Sequence, residues 1–261
     1  MIAGLDHVVI AVRDLAAGAG AYETLLDRKA GPAETRDGVA TLRVETGNVA
    51  VELMAPTGEG DTARRLRAAL EDGEGLKSLV FAVADVEAAH RRVERVGLAP
   101  GPIAARGDTR SFRADTARTH GVRLFFIESH GAPAPVGRGG LDHVVIRTGD
   151  PERAAGLYGA RLGLDMRLDR DVMGRRLMFF RCGDLIVEIA QDAALADAGD
   201  RLWGLSWRVA DADAERARLA AAGLDVSEVR AGMKPGTRVF TVRSGTCGAP
   251  TLMIEPSPKR G

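Results

Sequence analysis

A chain of 261 residues suits one large domain or two of roughly 130. At 45% hydrophobic it can bury a sizeable core, which excludes global disorder. Lys plus Arg and Asp plus Glu number 36 each, which argues against nucleic acid or an anionic membrane as the main partner, and no apolar run nears the roughly 18 residues of a membrane span.

The first apolar, β-branched run, residues 5–12, predicts a strand. Asp14 then stands as a helix N-cap, and Asp27 takes the left-handed stop position where glycine is commoner. Residues 39–45 and 49–54 read as a hairpin about Thr46-Gly47-Asn48, and residues 61–71 as a connecting helix. A further strand runs into Asp85, the next N-cap. Val86, Ala89, Val93 and Val96 then form one apolar stripe that stops at Gly97. Residues 106–113, Arg-rich with a Gly107-Asp108 turn, predict a solvated hairpin. Pro133, Pro135 and neighbouring glycines mark residues 129–139 as a linker. Beyond it Asp150 caps a helix with Pro151 at its first position and Gly163 at its stop. Residues 176–182 turn at Gly183-Asp184 into residues 185–190, and Asp211 caps a last helix ending at Gly223. Cys182 reads as a buried thiol with no base beside it, and with Cys247 it forms neither a CxxC pair nor a disulfide framework. Residues 1–15 carry no basic leader, so a cytoplasmic protein is expected.

The chain contains itself twice. Gly4-Leu5-Asp6-His7-Val8-Val9-Ile10 recurs unchanged as Gly140-Leu141-Asp142-His143-Val144-Val145-Ile146, an offset of 136. The offset persists: Tyr22 maps to Tyr158 and Val51-Glu52 to Val187-Glu188, so the His-to-Glu spacing is 45 in both copies. Val83-Ala84-Asp85 recurs as Val209-Ala210-Asp211. All four segments open on a strand into Asp, continue as a helix and close on a strand bearing Glu: Glu52, Glu128, Glu188 and Glu255. The expected fold is α+β, with four βαβββ modules in two halves. Residues 1–128 hold modules 1–56 and 74–128; residues 140–261 hold modules 140–192 and 201–256.

Strand alternation puts His7 on one face with Val9 and Ala11, and Glu52 on one face with Ala50 and Met54. His143, and Glu188 with Ile186 and Ala190, repeat the pattern. A curved sheet with helices outside would turn each His and Glu into one concavity. A single strand His is more often a satisfied core residue; the same pair at the same spacing twice argues that at least one pair keeps a role. Ser206 and Arg208 share the Gly204 face of their strand, while Trp203 and Trp207 share the other, where core packing is expected. There is no phosphate loop, dinucleotide fingerprint or serine-hydrolase elbow.

Four βαβββ modules, openings of the type Leu-Asp-His-Val-Val-Ile-x-Val-x-Asp-Leu and Glu-bearing closing strands resemble the vicinal oxygen chelate superfamily. That group includes glyoxalase I, methylmalonyl-CoA epimerase, extradiol dioxygenases, fosfomycin-resistance proteins and bleomycin-binding proteins. The resemblance covers nearly the whole chain. It implies two cupped eight-stranded mixed sheets with helices outside, and a divalent metal ion (Zn, Mn, Ni or Fe) in the cup. Carried over, the ligands would be His7, Glu52 and Glu128 in the first half, and His143, Glu188 and Glu255 in the second. Ser78 and Gly204 stand where the family has its second histidine, and the epimerase's catalytic Glu would fall on Arg36. Were modules two and three to pair instead, Glu128, His130, His143 and Glu188 would make a fuller set.

The resemblance thus implies a lyase or isomerase of the glyoxalase type. The metal would polarise an oxygen of a small carbonyl metabolite while Glu52 or Glu188 moves the proton on the adjacent carbon. The alternatives are a metal-free binding or resistance protein, and an extradiol-type dioxygenase with a non-standard site. One His and two carboxylates per half depart from the two-His, one-carboxylate iron triad. The expected partner is a small-molecule substrate, with the protein a monomer or homodimer.

Overall fold

The structure, a computed structural model, describes residues 2–129 and 139–257. His130 and all but the ends of the 129–139 linker lie outside the described residues. Module one comprises β1 (Ile2–Ala11), α1 (Leu15–Leu26), β2 (Glu34–Arg36), β3 (Val39–Glu45) and β4 (Ala50–Pro56). The connecting helix α2 (Asp61–Glu71) leads to module two: β5 (Gly75–Val83), α3 (Val86–Arg95), β6 (Ala104–Arg106), β7 (Thr109–Arg113) and β8 (Arg123–Glu128). Module three is β9 (Gly140–Thr148), α4 (Pro151–Ala155), β10 (Asp165–Val172), β11 (Arg175–Cys182) and β12 (Leu185–Gln191). Module four is β13 (Arg201–Arg208), α5 (Ala212–Ala221), β14 (Arg230–Ala231), β15 (Arg238–Val242) and β16 (Thr251–Glu255).

These strands form two eight-stranded mixed sheets, ordered β2-β3-β4-β1-β5-β8-β7-β6 and β10-β11-β12-β9-β13-β16-β15-β14. Hairpin partners run antiparallel, while closing strands lie parallel to opening strands, as β8 does to β5, β12 to β9 and β16 to β13. The helices begin where the sequence directs because aspartates take up orphan N–H groups. Asp14 accepts from Ala17 at 2.9 Å, Asp85 from Ala88 at 2.8 Å, Asp150 from Arg153 at 3.0 Å, and Asp211 from both Asp213 and Ala214. They stop at left-handed residues, Asp27 (φ 51°) and Gly97 (φ 77°) among them. Helix α4 departs from its counterpart α1 by running into a π turn, Gly156–Arg161, which buries the consecutive Leu157 and Tyr158.

Helix α1 packs on β3 and β4, α3 on β7 and β8, α4 on β12 and α5 on β15 and β16. The strand face away from His7 and His143 supplies the core: Val8, Ile10, Val144 and Ile146 are fully buried, as are Val51, Leu53, Val187 and Ile189 beside Glu52 and Glu188. Each such side chain stabilises the fold by about 1.5–3 kcal/mol. Trp207 joins this core at 2% exposed, but Trp203 does not. It stands near the start of β13, 45% exposed, with the Arg147 guanidinium 5.6 Å from its ring, so a cation replaces the core packing expected there.

Packing divides the chain differently from hydrogen bonding. One compact unit holds the described residues of 1–8, 77–134 and 143–203, hence most of modules two and three. The other holds those of 9–76, 135–142 and 204–261, hence most of modules one and four. The first unit contains a buried polar knot. Asp200 accepts from Thr148 Oγ1 at 2.7 Å and from Arg153 Nη2 at 2.8 Å, and its own N–H donates to His120 O. Burial, then the Arg153 charge, pushes the His120 pKa down, and burial raises that of Tyr158. In the second unit burial raises Tyr22 likewise and pushes the Cys247 thiol up to about 11; Cys182, buried in the first, is pushed up to about 12. Both cysteines are free. Among the described residues no helix is long and apolar enough to cross a membrane.

Candidate functional site

Strand pairing builds the second-half site. In the parallel pair β9–β12, Ile186 lies opposite His143 and Glu188 opposite Val145, so His143 and Glu188 share one face a row apart. Phe179 of β11 lies opposite Glu188. On β10, Leu168 lies opposite Phe179 and Arg170 opposite Leu177, which carries Arg170 onto the same face. The Phe179 ring meets the His143 imidazole edge-on, with centroids 5.9 Å apart and planes at 83°. The Arg170 guanidinium stands 6.0 Å from the same ring. Burial raises the pKa of the Glu188 carboxyl; the charges of His143 and Arg170 pull it back in part. The opposite face of these strands is fully buried at Val144, Val187, Met178 and Phe180, which holds the site on a rigid support.

The first-half residues are arranged otherwise. His7 is 5% exposed, with Nδ1 2.6 Å from Asp6 Oδ1. Glu52 lies opposite Arg43, whose Nε donates to its Oε2 at 3.1 Å. His7 belongs to the first compact unit and Glu52 to the second. Thus the structure brings His143 and Glu188 to one face, while Glu52 is engaged by an arginine.

Glu128 and Glu255 serve helix starts. Glu128 accepts the Val86 N–H at 3.2 Å, with Arg110 Nη1 3.5 Å away. Glu255 accepts the Ala212 N–H at 2.8 Å and lies 3.4 Å from Arg238 Nη1. Each is the last residue of its strand, where alternation no longer fixes a side chain's direction, and a free helix N–H is the nearest demand. Arg208, on β13, donates from Nε to Asp142 at 2.6 Å, and Ser206 is buried at 7% exposed.

Among the described residues these donors do not fit a metal ion. In the second half an imidazole and a carboxylate come together, but Glu255 is taken up at the start of α5 and the Arg170 charge already acts on Glu188. Among the described residues no group of three or more His, Cys, Asp or Glu side chains could hold one. Residue alternation alone missed Phe179, Arg170 and Arg43. A signal was present in the duplication: at the offset of 136, Arg43 maps to Phe179 and Glu34 to Arg170, so the copies differ around a conserved His and Glu.

The profile of the glyoxalase-like domain matches residues 5–163, and that of the glyoxalase/bleomycin resistance protein/dioxygenase superfamily matches residues 142–241. The chain belongs to the glyoxalase-like family of the vicinal oxygen chelate superfamily. An ethylmalonyl-CoA/methylmalonyl-CoA epimerase from Cereibacter sphaeroides is 34% identical over 99 residues, 37% of this chain and 73% of the relative. A mutant 4-hydroxymandelate synthase from Streptomyces coelicolor resembles the structure with a TM-score of 0.75 at 16% identity, over 100% of this chain and 95% of that one. A xylose isomerase-like TIM barrel/4-hydroxyphenylpyruvate dioxygenase fusion protein gives 0.69 at 17% identity, over 100% of this chain and 50% of the other. At such identities the two structures share the fold with this chain, and the fold alone.

Proposed function

We propose that this family member is an enzyme of the lyase or isomerase type, moving a proton on a small carbonyl metabolite at the second-half site. Glu188 is the base and His143 its charged or hydrogen-bonding neighbour. The observation that carries the reading is the setting of Glu188: a carboxylate sharing one sheet face with the His143 imidazole, its pKa raised by burial, suits a general base. Glu188 takes the proton from a carbon beside the carbonyl, leaving a neutral acid and an enolate. It then returns the proton to that carbon or the neighbouring oxygen. The name of the C. sphaeroides relative supports the class, since epimerisation at carbon begins with such a proton removal.

The test is solvent deuterium incorporation in D₂O, read by mass spectrometry. The panel comprises methylmalonyl-CoA, an α-keto thiol adduct and an α-keto acid. Glu188→Gln should lower incorporation by about 10²-fold or more with the fold retained. Incorporation that survives this change removes Glu188 from the role. The wall that Phe179 forms between His143 and Arg170 favours a second reading, a small-molecule-binding protein without turnover. Saturable binding of a panel member with no exchange in the wild type would select it.

A further inference from the structure

Among the described residues Arg170 of β10 differs from two other arginines of its sheet in lacking a charge partner. On the His143 face Arg147 is bonded to Asp192 at 2.5 Å, and on the opposite face Arg176 of β11 donates to both carboxylate oxygens of Asp169. Among the described residues Arg170 makes no ion pair, and its Nε is sealed from water with no hydrogen-bond partner. Its guanidinium is held over Phe179 and acts on Glu188 through space. A buried unpaired donor is unfavourable, and a guanidinium is a planar fork suited to an oxyanion. The alternative partner, Glu188, lies two strands away on β12, with Phe179 on the strand between. In the first copy the ring's position holds Arg43, which does pair with its glutamate, and Arg170's position holds Glu34. The second copy has thus moved its positive charge outward by one strand and, among the described residues, left it without an ion pair.

We propose that Arg170 anchors a carboxylate of the substrate, so that the ligand of this site is a small carboxylic acid anion whose reacting carbon lies toward Glu188. This inference rests on the proton-transfer reading above for the identity of the reacting group, but not for the binding itself. The anchored charge offsets the repulsion between an anionic substrate and the Glu188 carboxylate. The planar fork gives it one orientation, with the Phe179 ring as floor. Arg170 is therefore a binding residue that decides specificity, and Glu188 keeps the chemistry.

The experiment uses malonate as the probe, with malonamide and inorganic phosphate as controls, in calorimetric titrations of the full chain at low and at 0.3 M salt. Wild type should bind malonate, more weakly at high salt, and prefer it to malonamide and phosphate. Arg170→Gln should weaken malonate binding at least 10-fold and Arg170→Lys less, since the lysine keeps the charge and loses the fork. Thermal melts of both variants check the fold, and the lysine variant keeps the test open should the glutamine variant unfold. Where exchange is measurable on a carboxylate substrate, Arg170→Gln should raise KM with little change in kcat. Equal malonate affinity in wild type and Arg170→Gln, no malonate binding by wild type, or a preference for phosphate or malonamide would each overturn the proposal. Glu188→Gln separates the two readings. If it keeps malonate binding and loses exchange, both stand; if it keeps exchange while Arg170→Gln loses malonate, the anchor stands and the base does not.

Discussion

The two copies of the duplicated strand pair carry the same histidine and glutamate and put them to different uses. In the first, Arg43 faces Glu52 across the β3–β4 ladder and neutralises it, and His7 is buried against Asp6. In the second, Phe179 stands where Arg43 does, and Glu188 is left desolvated with its pKa raised. A single cross-strand neighbour separates a glutamate held in an ion pair from one that is desolvated beside an aromatic ring. An arginine opposite a carboxylate stabilises its charged form; an aromatic ring removes water and offers nothing in return. Identity of the His and Glu between copies therefore says less about their surroundings than the one substitution beside them.

The largest expected effect tests that asymmetry directly. Glu188→Gln should cost about 10²-fold or more in exchange rate, whereas Glu52→Gln should register chiefly as a modest loss of stability from Arg43. If Glu52→Gln is the one that abolishes exchange, the site is in the first half. Next is Phe179→Arg, which makes the second copy resemble the first. An arginine there should pair with Glu188, move the acid limb of the pH–rate profile to lower pH and reduce the rate about 10-fold or more. A limb that does not move would mean that the ring is not what sets the glutamate.

Stability against pH sharpens the same contrast. The folded Glu188 holds its proton more tightly than an unfolded glutamate of pKa about 4.3, so its contribution is fully present below that value and lost as pH rises through the raised one. Melting curves of the wild type should therefore show a decline over that window that is missing in Glu188→Gln and smaller in Phe179→Arg. The smallest effect concerns the closing strands. Glu128→Ala and Glu255→Ala should each cost about 1 kcal/mol, in chemical denaturation, by freeing a helix-start N–H. A loss of activity without a loss of stability in either would return that carboxylate to the site.

Much of this molecule is determined by its sequence. The four aspartate caps, the left-handed stops at Asp27 and Gly97, the connecting helix over residues 61–71 and the two long hairpins are set by local chemistry, which a chain carries wherever it folds. The duplication likewise dictates two sheets of one design, as the strand orders bear out. Alternation set the buried faces around Val8, Ile10, Val144 and Ile146. It could not direct Glu128 and Glu255, which end their strands and answer to the nearest unsatisfied N–H. It also could not exempt Trp203, where Arg147 covers the ring in place of a core. Only tertiary structure decided which glutamate is desolvated and which is paired with an arginine. A pKa depends on the water and charges removed or supplied by neighbours far apart in the chain, and residues 170, 179, 188 and 143 become neighbours through strand register alone.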